Sequence, residues 1–371
     1  MVLICIKGSP YQREGDLATG GGRGIVRRMT VRIGVGLFTG QIPAGSTRTF
    51  VREYRDTVAM VRLAEDLGYD GAWVSEHHGA SDGYLPSLLV MLAALAEATT
   101  TIRLGTGVIL TPLHDPVRLA EDAAVVDQLS GGRLVLGLGL GWRSEEFRML
   151  RIPQAEALSR HVETVEILRR AWTGERFSFD GEAFAYDRVR VTPPPAQEGG
   201  PPILLGGYVD AALRRAGAIG DGHLTDADDP GHLARAVELM DAGAREAGKD
   251  PSALSLVLMQ NVALGDEGDP WPAVRDGVVH QIGAYTAWDE GHDTPDHDAL
   301  EPPAAAEADA RAATLAGTPE EVAAALRPVV DAFGERDLEL VLRFHYPGMD
   351  LEPAAEAMRL AAERLLPALR D

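Results

Sequence analysis

IRLGTGVIL at Ile102–Leu110, a helix opened by Asp115-Pro116, and RLVLGLG at Arg133–Gly139 form one strand–helix–strand unit. Asp115 stands where a helix N-cap belongs, and Pro116 falls in the first turn, where a missing N–H costs nothing. Working outward, the same rhythm holds on both sides. Val31–Phe38 (VRIGVGLF) reads as a strand, Phe50–Leu67 as a helix closed by Gly68, Gly71–Ser75 (GAWVS) as a strand, and residues 86–98 as a helix. After Gly139 the rhythm breaks: a helix over 154–172 is followed by Phe177–Val191, which alternates like a hairpin, and by Pro193-Pro194-Pro195. It resumes with strands at Ile203–Leu205, His223–Thr225, Leu254–Val262 and Leu338–Phe344. Helices over 209–218, 231–247, 319–332 and 353–369 accompany them. Alternation of this kind implies a parallel sheet. Eight strand–helix units, with insertions after the fourth and seventh strands, predict an α/β fold of the (β/α)8 TIM-barrel type over residues 29–371. The nearest alternative is an open doubly wound sheet. The acidic, Pro- and Ala-rich stretch 289–312 reads as a mobile loop, long enough for a lid.

Bulk properties exclude several functions. The net charge of −21 opposes phosphate backbones and anionic lipid alike. Lys7 and Lys249 are the only lysines, and Cys5 is the only cysteine, which rules out a disulfide framework and a thiolate metal site. A reducing, cytoplasmic setting suits this composition. No apolar run approaches the roughly 20 residues that span a bilayer. Residues 1–28 are Gly- and Arg-rich without periodicity and read as a disordered leader, with Met29-Thr30 as a plausible true start.

In a barrel of this kind, functional groups stand just after the strands. The richest such loop is Ser75-Glu76-His77-His78 and the following GASDGYLP (Gly79–Pro86). Adjacent histidines point in different directions, so one of the two faces a pocket, with Glu76 available to orient its partner. A helix-entry loop with solvated histidines is the bland alternative, and a metal site lacks a third ligand at recognisable spacing. The fourth strand ends in Gly137-Leu138-Gly139-Leu140-Gly141-Trp142-Arg143, with Glu146-Phe147 beyond. Glycines there let a planar ligand approach the backbone, and Trp142 or Phe147 can wall its ring. Gly206-Gly207 ends the fifth strand before a helix and offers backbone N–H groups to a phosphate. Against this, Tyr208-Val209 offers few hydroxyls and Asp210 adds a negative charge. His345 and Tyr346 follow the eighth strand and are expected at the same mouth.

Taken together, these pieces resemble the bacterial luciferase superfamily of flavin-dependent oxidoreductases. The resemblance is carried by SEHH (Ser75–His78), GYLPS (Gly83–Ser87), IRLGT (Ile102–Thr106), PLHDPV (Pro112–Val117), LAED (Leu119–Asp122), LSGGRL (Leu129–Leu134) and Gly137–Phe147. Weaker matches are Arg190–Pro193 and Pro201–Gly207. The resemblance implies a TIM barrel, usually dimeric, that binds FMN or, in some branches, a deazaflavin. It implies His77 beside the flavin in support of oxygen chemistry, with Glu76 and His78 in the same catalytic loop. It places a non-prolyl cis peptide at Gly107-Val108 and Glu146-Phe147 near the ring. The implied cofactor site therefore comprises Gly107, Val108, Gly139, Leu140, Gly141, Trp142, Glu146, Gly206, Gly207 and Tyr208, with no metal.

The implied activity is that of a two-component monooxygenase. Reduced FMN would come from a separate flavin reductase, and one oxygen atom would pass from a flavin hydroperoxide to a small organic substrate. A deazaflavin-dependent dehydrogenase or reductase is the alternative of the same class, and a non-catalytic flavin-binding accessory subunit is the alternative of another. Two departures bear on the phosphate. Leu140 stands where luciferase carries an arginine, and Tyr208-Val209-Asp210 replaces its Glu-Ser-containing loop. Arg143 is the nearby candidate to compensate. The expectation is weak retention of reduced FMN, in the micromolar range or weaker.

The charge argument yields a direct check. In a gel-shift assay at physiological salt the chain should leave duplex DNA unshifted; a tight complex would contradict it.

Overall fold

The computed structural model describes residues 31–289, 304–333 and 336–370; the expected leader and most of the expected mobile loop lie outside these residues. The first half alternates regularly: β1 (Arg32–Phe38), α1 (Phe50–Asp66), β2 (Gly71–Val74), α2 (Leu88–Ala98), β3 (Arg103–Leu110), α3 (Pro116–Ser130) and β4 (Leu134–Gly139). An insertion follows, made of α4 (Ser144–Met149), α5 (Ala157–Ala171) and the antiparallel hairpin β5 (Phe177–Asp180) and β6 (Ala185–Val189). The barrel then continues with β7 (Ile203–Gly206), α6 (Asp210–Ile219), β8 (Gly222–Thr225), α7 (Pro230–Glu246) and β9 (Ser255–Leu264). A second insertion holds α8 (Trp271–Asp289), α9 (Ala304–Ala312) and β10 (Thr314–Gly317). The chain closes with α10 (Pro319–Ala332), β11 (Asp337–Arg343), α11 (Leu351–Leu360), a π-helical turn at Ala361–Leu365 and α12 (Leu366–Arg370).

All pairings within the main sheet are parallel. In the order β11-β1-β2-β3-β4-β7-β8-β9, the last strand pairs back to β11, so the sheet closes as an eight-strand barrel. That closure excludes the open doubly wound alternative. β10 adds to the far end of β9, pairing Thr314–Gly317 with Asn261–Leu264. The insertions fall after the fourth and seventh barrel strands, as expected.

The helices start where the sequence says they should. Asp115 caps α3, accepting from Val117 N and Arg118 N, and Thr318 with Glu321 forms a capping box on α10. Four elements escaped the sequence pattern: the short α4, and α8, α9 and β10. α8 is buried around most of its circumference, including Trp271, Val278, Ile282, Tyr285 and Trp288, so it shows no polar face for a helical period to reveal. α9 lies inside the stretch read as a loop because alanine and acidic residues carry no apolar stripe.

Alternate residues of each strand face inward and outward. Ala72 and Val74 face the helices, while Trp73 points into the bore beside Val135, Leu204, Leu224, Val257 and Val341. The indole N–H of Trp73 donates to Glu339 Oε1 at 2.6 Å, and Arg103 Nη1 donates to Glu339 Oε2 at 2.8 Å. Glu339 is fully buried. Gly71 and Gly105 make the room: a Cβ on Gly71 would lie 2.1 Å from Glu339 Oε1, and one on Gly105 2.3 Å from the Trp73 ring.

Removing a carboxylate that Trp73, Arg103 and Arg32 all depend on is expensive. Glu339→Leu should lower the unfolding free energy by about 3 kcal/mol, read from the urea midpoint; an unchanged midpoint would show that the bore does not need this group.

Candidate functional site

Above Trp73 the bore opens into a cavity of about 430 Å³, within the roughly 300–1,000 Å³ typical of small-molecule and cofactor sites. All eight barrel strands reach it at or near their carboxyl ends. Among its walls are Leu37, His77, Val108, Leu140, Gly206, Thr225, Gln260 and Arg343. The Gly107-Val108 peptide is cis, as is Gly36-Leu37. Of the cofactor residues inferred from sequence, Gly107, Val108, Gly139, Leu140, Gly141, Trp142, Gly206, Gly207 and Tyr208 line this one cavity. Gly139 does so indirectly, because the space beside it holds the Val108 side chain, 2.5 Å from where a Cβ would stand. Phe147 does not wall the cavity. It packs beneath, with Leu110, Leu113 and Ala157.

The two adjacent histidines diverge, as their spacing requires. His77 lines the cavity and is 3% exposed. Its Nδ1 lies 2.9 Å from Glu146 Oε1, and its Nε2 lies 3.2 Å from the Tyr285 hydroxyl. That carboxylate oxygen also accepts from His78 N at 2.8 Å, so it is an acceptor and Nδ1 carries the proton facing it. Nε2 is then free to accept from Tyr285. The Tyr285 hydroxyl lies 3.0 Å from that of Tyr84, which lies 3.0 Å from Ser75 Oγ, so a run of hydroxyls leads away from His77. Burial pushes both phenols up, so they act as neutral hydroxyls. Trp288 packs 5.0 Å from the His77 ring. Tyr285 and Trp288 come from α8, which is tied to the histidine loop where His280 Nε2 meets Asp82 Oδ2 at 2.9 Å.

His78 turns the other way. Its Nε2 lies 3.0 Å from Glu76 Oε1, and His114 Nε2 lies 3.0 Å from the same oxygen, which also accepts from Leu110 N. Burial pushes the Glu76 carboxyl up, but the His114 and His78 hydrogen bonds outweigh it and hold the group at about 2. Burial lowers His78, and the Glu76 hydrogen bond outweighs that in turn, raising it. The fold thus supplies the third potential ligand that the sequence spacing did not show: donor atoms of Glu76, His78 and His114 lie within 4.8 Å of one another, a set able to hold a divalent cation.

The opposite wall revises the phosphate reading. Gly207 has φ of +144°, a conformation only glycine adopts easily, and delivers the chain to the start of α6. Asp210 does not face the cavity. It is exposed and pairs with Arg235 at 2.5 Å. Arg143 is no substitute cation, since it is buried, donates to His78 O, pairs with Glu145 and lies over the Trp288 ring. The available cation is Arg215, on α6, which lines the cavity with Leu140 and Gly207 and makes no ion pair among the described residues. Burial lowers it, with nothing opposing. A helical side chain leans toward the helix N-terminus, which brings a residue well inside α6 back to the strand end. His345 and Tyr346 also miss the mouth. Tyr346 bonds Val262 and Arg343 backbone groups, and His345 contacts Met349 O. The residue of this last strand that reaches the cavity is Arg343.

Three cavity-lining residues hold buried polar atoms with no partner among the described residues: Trp142 Nε1, Gln260 Oε1 and Gln281 Oε1. Gln260 Nε2 faces the carbonyls of Asn261 and Ala313, which leaves its oxygen as the free acceptor. One donor and two acceptors suit a heterocycle bearing both carbonyl and N–H groups. The residues present therefore fit a flavin-type ring.

A closed parallel barrel with a braced imidazole in a cavity at its C-terminal face is the arrangement of a barrel enzyme's active site. The luciferase-like monooxygenase family matches residues 29–336, and the chain belongs to that family. It is similar to the 5,10-methylenetetrahydromethanopterin reductase of Archaeoglobus fulgidus, 34% identical over 218 residues, covering 58% of this chain and 63% of the reductase. It is also similar to the 4-hydroxyprotoasukamycin monooxygenase of Streptomyces nodosus subsp. asukaensis, 33% identical over 169 residues and 45% of each chain. The matches span less than two thirds of these relatives' lengths. The crystal structure of monooxygenase RslO1 from Streptomyces bottropensis superimposes with a TM-score of 0.75 at 27% identity, covering 91% of this chain and 99% of that one. No helix of the described residues is long and apolar enough to cross a membrane.

Asp226 lines the cavity and accepts from the Tyr208 hydroxyl. Burial pushes its carboxyl up to about 6, with the Tyr208 hydrogen bond opposing. A folded-state value above the unfolded one means that stability is greatest below the ordinary carboxylate range and is lost as pH rises through about 6. Asp226→Asn should therefore melt higher than the wild type at alkaline pH, with the gap closing as pH falls through about 6 toward about 4. A pH-independent gap would place the carboxylate in water.

Proposed function

We propose that this chain is the oxygenase component of a two-component flavin-dependent monooxygenase, served by a separate reductase that supplies reduced FMN. When bound, reduced FMN activates O₂ so that one oxygen atom reaches a small organic substrate. The observation that carries the reading is His77: a buried imidazole, braced by Glu146, that meets the Tyr285 hydroxyl at the cavity wall. An imidazole with a fixed tautomer and an adjacent hydroxyl can hold a proton at Nε2 or return it through Tyr285. Leu37, Val108 and Met259 line an apolar floor that limits water near that proton. Arg215 and the backbone N–H groups after Gly206-Gly207 would take the phosphate, offsetting the arginine that Leu140 replaces.

The similarity to an archaeal methylenetetrahydromethanopterin reductase supports a second reading, hydride transfer with a deazaflavin in the same cavity. Anaerobic titration with reduced FMN, oxidised FMN and a deazaflavin separates the two. The proposal expects reduced FMN to bind best, and preference for the deazaflavin would favour the second reading. Arg215→Gln should weaken reduced FMN by about tenfold, the scale of one charged hydrogen bond, and leave riboflavin unchanged. Equal losses for both flavins would remove Arg215 from the phosphate. His77→Ala should slow oxygen transfer at least about tenfold, and His78→Ala should cost less; equal small effects would take His77 out of the chemistry.

A further inference from the structure

Arg343 ends β11 at the cavity wall and is 4% exposed. Its Nε donates to His345 O at 3.1 Å and its Nη2 to Thr39 Oγ1 at 3.1 Å, both neutral acceptors. Its guanidinium carbon lies 5.2 Å from the Tyr346 ring centroid. No carboxylate of the described residues pairs with it. The ionisable groups that act on it are the phenols of Tyr84, Tyr285 and Tyr346, which burial keeps neutral. Arg143, the other fully buried arginine of the described residues, has a carboxylate partner, as do half-buried Arg48 and Arg103, whereas half-buried Arg133 bonds only neutral acceptors and Arg215 has no ion pair among them. Arg48 meets Glu53 and Asp56, Arg103 meets Glu339, and Arg143 meets Glu145.

An arginine stays charged in a protein interior, and a buried charge without a counter-ion is costly. Fold packing does not demand this one, because its partners are two groups that a neutral donor would satisfy equally well. The cost becomes intelligible if the counter-ion arrives with a ligand. Position decides which ligand. In the ring of eight strands β11 stands opposite β4, and Arg215 follows β7, next to β4. The two cations therefore flank the cavity from different sides, so a flavin whose phosphate lies at Arg215 leaves Arg343 to another molecule. The apolar part of the lining is Leu37, Val108, Met259 and Val341, with Thr225, Asp226 and Gln260 on the β8 and β9 side.

We propose that Arg343 anchors the carboxylate of the substrate, and that the substrate is a small organic acid with an apolar body lying along Leu37, Met259 and Val341. This deepens the oxygenase reading by naming the substrate class of the same cavity. It is tested without flavin, so its failure is separate from a failure of that reading.

The experiment is calorimetric titration of the flavin-free full chain with benzoate and, separately, with benzamide, its uncharged analogue of the same shape. Benzoate should bind at least tenfold more tightly than benzamide to the wild type. Arg343→Gln should bring the two to near parity, Arg343→Lys should keep part of the preference, and Arg215→Gln should leave it intact. Without ligand, Arg343→Gln should melt no lower than the wild type, and only the wild type and the lysine variant should be stabilised by benzoate. Equal binding of the two probes to the wild type would overturn the proposal without any variant. A preference that survives Arg343→Gln, or that vanishes with Arg215→Gln, would also overturn it.

Discussion

The indole of Trp73 occupies the bore of the barrel, with its N–H held by a carboxylate, Glu339, that is itself out of reach of water. Much of the rest follows from this arrangement. The carboxylate draws Arg103, from β3, toward β11 and β2, and two glycines keep the surrounding strands bare so that a large ring fits. Above this layer no ring takes the place that Trp73 fills below. The inward positions nearer the carboxyl ends are Leu37, Gly107, Val108 and Met259, and they leave a cavity where the lower layer leaves none. The same strands thus supply a packed floor and an open mouth.

Electrostatics separates the two regions as clearly as packing does. Elsewhere in the described chain, charges with little access to water find either opposite charges, as Arg48 with Glu53, Arg103 with Glu339 and Arg336 with Asp241, or several neutral donors, as Asp127 and Glu163 do. Around the mouth several groups are less fully met. Arg215 and Arg343 lack carboxylate partners, Gln260 and Gln281 hold free carbonyl oxygens, and Asp226 resists ionisation. Unpaired polar groups in an interior cost stability unless something else pairs with them. Those that line the cavity are the physical mark of a binding site, and they agree with the family to which the chain belongs.

Much of this was legible in the sequence, for identifiable reasons. The eight strands announced themselves because short apolar runs alternated with capped helices, and the split roles of His77 and His78 follow from the geometry of adjacent residues. Glu146 could be placed near the site only by resemblance; its contact with His77 spans 69 positions and depends on the loop after β2 and α4 after β4 coming together across β3. Tyr285 and Trp288 were invisible because α8 is buried on most sides and lacks a helical stripe. Arg215 was overlooked for a different reason. It stands deeper in α6 than the residues directly after Gly207 and leans back. Asp210 shows the converse error: sequence proximity to the helix start suggested a clash with phosphate, but the side chain turns outward to Arg235. His114 joined Glu76 and His78 through packing that no spacing rule describes.

Under the proposed function a flavin lies across this mouth with its phosphate at Arg215 and its ring against Val108 and His77, leaving the Arg343 side free. A crystal structure of the chain soaked anaerobically with reduced FMN tests it most directly. The account predicts phosphate density against Gly206-Gly207 and Arg215, with the ring within contact of Val108 and His77. Phosphate density at Arg343, or a flavin bound outside the barrel mouth, would contradict it.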